Sequence, residues 1–141
     1  MEIRELVPGY AVAPQIEASD MAEVAAAGFG TVICNRPDAE NPAERASDRM
    51  RAAAEEHGLV FIFNPVMPGQ ITSENITLQG QALSDADKPV FAYCASGNRS
   101  SVVWALSQAA LKEADELIRA AAKWGYQLEA LRPHLEALAR G

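Results

Sequence analysis

Pro89-Val90-Phe91-Ala92-Tyr93, Cys94-Ala95-Ser96-Gly97-Asn98-Arg99-Ser100 and Ser101-Val102-Val103-Trp104-Ala105-Leu106 follow one another without a gap. The first run is β-branched and aromatic, as in a buried strand, and the last reads as a buried helix. A cysteine thus falls where a strand ends and an arginine where a helix begins, with four small or polar residues between them. Such a loop curls so that backbone N–H groups converge above the sulfur. The helix N-terminus adds positive partial charge there, and Arg99 adds a full charge in fork geometry. This field favours thiolate over thiol. The motif predicts a nucleophile, Cys94, and an anion binder, Arg99, with Ala95, Ser96, Gly97, Asn98 and Ser100 lining the substrate. A cysteine after a buried strand is also, more simply, a small core residue. The loop around it favours chemistry.

Outward from this loop, apolar runs alternate with helical patterns. Tyr10–Ala13 is expected to be a short strand, with Pro8-Gly9 before it. A helix capped by Ser19 is expected to run to about Ala27 and stop at Gly28. Thr31–Cys34 is apolar throughout, as in a parallel strand covered on both faces. A helix is read from about Ser47 to His57, a strand over Leu59–Phe63, and a helix capped by Thr72 and stapled by Ile71 and Ile76 to about Leu83. Beyond the Lys112–Asp115 break, Ala114, Leu117, Ile118, Ala121 and Trp124 keep helical spacing. Leu128, Leu131, Leu135 and Leu138 form a last stripe, divided at Pro133, that reads as core cover. The fold class expected is α/β: a mostly parallel central sheet flanked by helices on both faces.

The 141 residues suit one domain spanning positions 1–141. No apolar run is long enough to cross a bilayer, and Met1-Glu2-Ile3-Arg4-Glu5 lacks a signal-peptide pattern, which points to the cytoplasm. A net charge of −7 argues against a nucleic-acid partner and against long-range attraction of anions; an anionic substrate is held by local geometry. The two cysteines, Cys34 and Cys94, make no disulfide framework, and two histidines without ligand spacing make zinc improbable. No metal or cofactor is implied.

Arg36 and Asp38 follow the Thr31–Cys34 strand, and loops at the carboxyl ends of parallel strands line active sites. Both residues are candidates to face Cys94; a solvated charged turn is the equal alternative. His57 and His134 read as structural or exposed.

A thiolate under an anion cradle serves two reactions. Attack on phosphorus gives a phosphocysteine; attack on sulfane sulfur gives a persulfide. A phosphoryl group needs a wide ring of donors, and each residue removed from the ring takes away a donor and up to about 3.5 Å of contour. An alkoxide leaving group also gains about 10²–10⁴ from a general acid. The Asn64–Ser73 loop has no Asp, Glu or His, and the nearest carboxylates elsewhere are Asp38, Glu40 and Glu74. Both points favour sulfur transfer.

Cys94–Ser100, preceded by Tyr93, resembles the active-site loop of single-domain rhodaneses. The whole chain is similar to the phosphatase-like domain of the beta-lactamase hydrolase-like proteins. Val12-Ala13-Pro14-Gln15-Ile16, Ala26-Ala27-Gly28-Phe29, Thr31-Val32-Ile33, Asn35-Arg36-Pro37-Asp38, Pro65-Val66-Met67-Pro68-Gly69-Gln70-Ile71-Thr72, Gly125-Tyr126 and Leu131-Arg132-Pro133 carry that likeness. The resemblance implies a dual-specificity-phosphatase-like fold, Cys94 as nucleophile and Arg99 as anion binder. It also implies a persulfide dioxygenase-like partner, because the family is often fused to such enzymes or encoded beside them. Tyrosine phosphatases usually have five residues between cysteine and arginine, a histidine before the cysteine and an aspartate in the acid loop; this chain has none of these. The expectation is a cysteine-dependent sulfurtransferase acting on thiosulfate or a persulfide. The alternatives are a phosphatase acting on a phosphoester and a non-catalytic oxyanion-binding module.

Overall fold

The computed structural model describes residues 1–141. Five strands form one sheet in the order β1-β2-β5-β3-β4. They are β1 (Arg4–Val7), β2 (Tyr10–Ala13), β3 (Thr31–Cys34), β4 (Val60–Phe63) and β5 (Val90–Tyr93). β2, β5, β3 and β4 run parallel in matched register, with Ala13 and Cys34 both opposite Tyr93. β1 lies antiparallel to β2, so the sheet is mixed and mostly parallel.

Side chains alternate across this sheet as the strand period requires. Tyr10, Val12, Ile33, Val90 and Ala92 enter one core; Ala11, Ala13, Val32, Cys34, Phe91 and Tyr93 enter the other. The second core is covered by α1 (Met21–Ala26) and α2 (Ser47–Glu56). The first is covered by α3 (Ser73–Asp85), α4 (Asn98–Gln108), α5 (Ala114–Ala122) and α6 (Arg132–Arg140). Tyr10 stacks on Trp104 of α4, ring centroids 5.5 Å apart, which ties the central helix to β2. No helix is long and apolar enough to cross a membrane.

Most helix ends follow the sequence reading. Thr72 Oγ1 accepts from the Asn75 N–H at 3.1 Å while Asn75 Oδ1 accepts from the Thr72 N–H at 3.0 Å, a reciprocal cap for α3. Pro133 sits in the first turn of α6, behind a short 3₁₀ turn over Glu129–Leu131. Ser19 does not cap α1. It lies inside a 3₁₀ turn, Ala18–Asp20, closed by a reciprocal Glu17–Asp20 pairing. β1 is an element the sequence pattern did not announce. Only Leu6 in it is buried, and its backbone is paired with β2.

Candidate active site

β5 delivers Cys94 to the carboxyl end of the parallel sheet, beside the ends of β2 and β3. Cys94 is fully buried, whereas Ala95, Ser96 and Asn98 are exposed. The loop turns on Gly97, whose φ of +93° is left-handed and suits glycine. Gly97 donates its N–H to Cys94 Sγ at 3.1 Å, and its carbonyl accepts from the Ser101 N–H at 3.0 Å to open α4. Ser96 Oγ accepts from the Asn98 N–H at 3.2 Å. The N–H groups of Ala95, Ser96, Arg99 and Ser100 have no acceptor within the chain. The expected loop of donors at a helix N-terminus is therefore present and uncommitted.

Arg99 is anchored from the side. Nη1 donates to Glu40 Oε2 at 2.9 Å and to the Val66 carbonyl at 2.7 Å, and Nη2 donates to Glu40 Oε1 at 2.8 Å. Three of the five guanidinium N–H groups are thus committed, leaving Nε and one Nη2 hydrogen. Arg99 stays protonated more firmly than usual, chiefly through Glu40 and in smaller part through the Cys94 sulfur.

The other sequence candidates make different bonds. Arg36 makes no hydrogen bond to Cys94. Its Nε donates to Glu40 Oε1 and its Nη1 to Gln15 Oε1, both at 3.2 Å, so it is a second cation behind the Glu40–Arg99 pair. Asp38 is engaged elsewhere: its carboxylate accepts from the Ser47 N–H and Oγ–H, each at 2.7 Å, at the start of α2. Ser100, expected to line the substrate, is fully buried; its hydroxyl donates to Asn35 Oδ1 at 2.8 Å. Asn35 in turn donates to the Asn64 carbonyl and to Gln79 Oε1, and Gln79 donates to Tyr10 Oη. This buried amide network fixes the strand ends beneath the loop. Cys34 is buried on the face away from α4, beside Tyr93, and donates weakly to the Arg36 carbonyl at 3.4 Å; burial pushes its thiol pKa up. No three His, Cys, Asp or Glu side chains are grouped to hold a metal ion.

Glu40 was visible in the sequence only as one of the three nearest carboxylates outside the Asn64–Ser73 loop, and Tyr126 only within a stretch that carries the family likeness. Tyr126 Oη donates to the Ser96 carbonyl at 2.8 Å and accepts from Arg4 Nη1 at 2.7 Å. The tail is therefore not core cover alone; it reaches the cysteine loop.

Glu40 gives a pH-dependent expectation. The Arg99 guanidinium, then Arg36, holds its carboxyl below the ordinary carboxylate range against an opposing effect of burial. A depressed carboxylate contributes stability above its unfolded value, about 4.3, and that contribution is lost as pH falls through the folded value. Glu40→Gln is thus expected to cost on the order of 1 kcal/mol at neutral pH, the pair being partly exposed. Urea midpoints followed from about pH 7 down to about pH 3 should show the gap to wild type closing in acid. A constant gap would assign the loss to packing.

The mostly parallel sheet flanked by helices is a fold shared with phosphatases of the dual-specificity type. A candidate phosphatase from Neisseria meningitidis Z2491 superposes with a TM-score of 0.82 at 32% identity, over 98% of this chain and 99% of that one. Kinase-associated phosphatase shares the fold alone, with a TM-score of 0.78 at 11% identity, covering 99% of this chain and 94% of its own. Residues 2–111 match the phosphatase-like domain of the beta-lactamase hydrolase-like proteins, and the chain belongs to that family. The beta-lactamase hydrolase-like protein of Agrobacterium fabrum C58 is 33% identical over 98 residues, 70% of this chain. The alignment takes in 23% of that relative, so this chain spans about a quarter of its length.

Proposed function

We propose that this chain is a cysteine-dependent phosphatase. Cys94 thiolate attacks phosphorus, an S–P bond forms as the ester P–O bond breaks, and the oxygen leaves with the bonding electrons. Water then hydrolyses the phosphocysteine to release phosphate and restore the thiolate. The observation that carries this reading is the loop itself: Gly97 N–H on Sγ at 3.1 Å, with four uncommitted N–H groups and two free Arg99 hydrogens for phosphoryl oxygens. The match to the Neisseria protein over nearly the full chain supports phosphorus over the sulfur transfer that the loop spacing favoured.

The substrate class follows from what the site lacks. Glu40 is held ionised by two arginines and is no proton donor, and the Asn64–Ser73 loop has no carboxylate. Without a general acid the leaving group must depart unaided, so the enzyme suits aryl esters, phosphotyrosine-like in chemistry. Alkyl phosphates should be slower by about 10² or more in kcat/KM. A specific observation keeps sulfur transfer as the second reading. The four residues between Cys94 and Arg99 make a small ring, and a thiolate or sulfite leaving group needs no acid. Thiosulfate or a persulfide as substrate, and a persulfide dioxygenase-like partner, belong to that reading.

The test compares kcat/KM for para-nitrophenyl phosphate with that for thiosulfate and glutathione persulfide, and weighs the Cys94 peptide after brief mixing. The expected result is a trapped phosphoryl group and a phosphoester kcat/KM at least about tenfold the larger, 1.4 kcal/mol in barrier. One added sulfur without phosphoester turnover would make the protein a sulfurtransferase.

A further inference from the structure

We propose that Tyr126 and Arg4 form a positioning relay that aims the Ser96–Gly97 peptide N–H at the Cys94 sulfur and so sets its reactivity. The inference rests on Cys94 being the nucleophile, whichever group it attacks.

The two hydrogen bonds in question belong to one peptide unit. Its oxygen, on Ser96, accepts from Tyr126 Oη at 2.8 Å; its N–H, on Gly97, donates to Sγ at 3.1 Å. A peptide unit is planar and, like every peptide in this chain, trans, so its C=O and N–H point in opposite directions. Holding the oxygen on one side therefore fixes the direction of the N–H on the other. The same contact polarises the unit, since a donor on the oxygen strengthens the N–H as a donor. Tyr126 Oη itself accepts from Arg4 Nη1 at 2.7 Å, which leaves its hydroxyl hydrogen for Ser96. The chain of donors thus runs from a guanidinium through a phenol and a peptide to sulfur, with positive charge at the far end.

The relay is built in. Tyr126 is 7% exposed, and its backbone is fixed by the end of α5, where its N–H donates to the Ala121 carbonyl beside Gly125 at φ +87°. The phenol lies against Gly97 so closely that a Cβ there would overlap Oη. Arg4 is held by β1 and by its Nε bond to Glu2 at 2.7 Å. Other titratable groups interact with the sulfur: Arg99 from α4, with Glu40 paired to it, Tyr10 from β2 and Cys34 from β3. None of them is bonded to the Ser96–Gly97 peptide. Tyr126 acts through that peptide and is a positioning residue.

Iodoacetamide alkylation of Cys94 in the full chain, followed on its own peptide by mass spectrometry, tests the relay without any substrate. A failure here is therefore separate from a failure of the phosphatase reading. Tyr126→Phe is expected to slow alkylation three- to tenfold at neutral pH and to leave the rate unchanged at about pH 10, above the ordinary thiol value of about 8.5. Arg4→Met, which keeps the ring in place, is expected to slow it about twofold at neutral pH alone. An unchanged neutral rate in Tyr126→Phe overturns the relay. Equal slowing at both pH values also overturns it, because that reports access. If Tyr126→Phe does not fold, Arg4→Met settles the matter by the same two criteria.

Discussion

Cys94→Ser is expected to lose at least about 10⁴-fold in kcat while keeping the fold and the affinity for phosphate. A serine hydroxyl is not ionised at neutral pH and has no base beside it, so the attacking electron pair is gone. What holds the site together stays. The protein group on Sγ is the Gly97 N–H, and a serine Oγ accepts that bond at least as well. The cradle N–H groups and Arg99 do not depend on the sulfur for their positions: Arg99 is anchored on Glu40 and Val66. Calorimetric titration with inorganic phosphate should give affinity within about threefold of wild type, a difference under 1 kcal/mol. Turnover above about 1% of wild type on either an aryl phosphate or thiosulfate would show that Cys94 is not the nucleophile.

Gly97→Ala should have a smaller effect on activity and a larger one on stability. The left-handed φ of +93° costs an alanine roughly 1–2 kcal/mol. The added Cβ would also overlap Tyr126 Oη and lie 2.9 Å from Cζ and 3.5 Å from the Ala13 carbonyl carbon. The phenol is buried and doubly bonded, so it does not swing aside freely. Together these cost about 3–4 kcal/mol, a fall of roughly 10 °C in Tm for a chain of this size. Any relief that moves the loop pulls the Gly97 N–H from sulfur, and kcat/KM should drop by about 10² or more. Adding Tyr126→Phe to Gly97→Ala removes the oxygen and should restore part of the lost stability. Strict additivity of the two losses would mean that the Gly97–Tyr126 contact is not the source.

Much of the architecture was legible because it is written locally. Thr31–Cys34 and Val90–Tyr93 are apolar throughout, as buried parallel strands must be. Thr72 and Asn75 cap α3 within one turn, and the cysteine loop carries strand, glycine and helix start in consecutive positions. β1 was hidden because a half-exposed edge strand with one buried side chain has no period to read. The site was less legible for the same reason in three dimensions. Glu40 reaches Arg99 across 59 positions, and Arg4 reaches Tyr126 across 122. In sequence each is one charge among many. Asp38 and Arg36 illustrate the ambiguity: they share a loop, yet one holds the start of a helix and the other backs Glu40. The emphasis on sulfur came from four residues of loop spacing, whereas similarity over nearly the whole chain lies with a candidate phosphatase.

The bond between Arg4 and Tyr126 also has a consequence for biosynthesis. A ribosome releases Arg4 early and Tyr126 more than a hundred residues later, so the sheet and the cysteine loop emerge before the phenol that braces the loop. From the emergence of that loop until Tyr126 follows, the Ser96 carbonyl lacks its phenol partner. Under the proposed relay, reactivity at Cys94 is tied to the arrival of Tyr126 after α5, and a chain stalled before Tyr126 carries the motif without its brace.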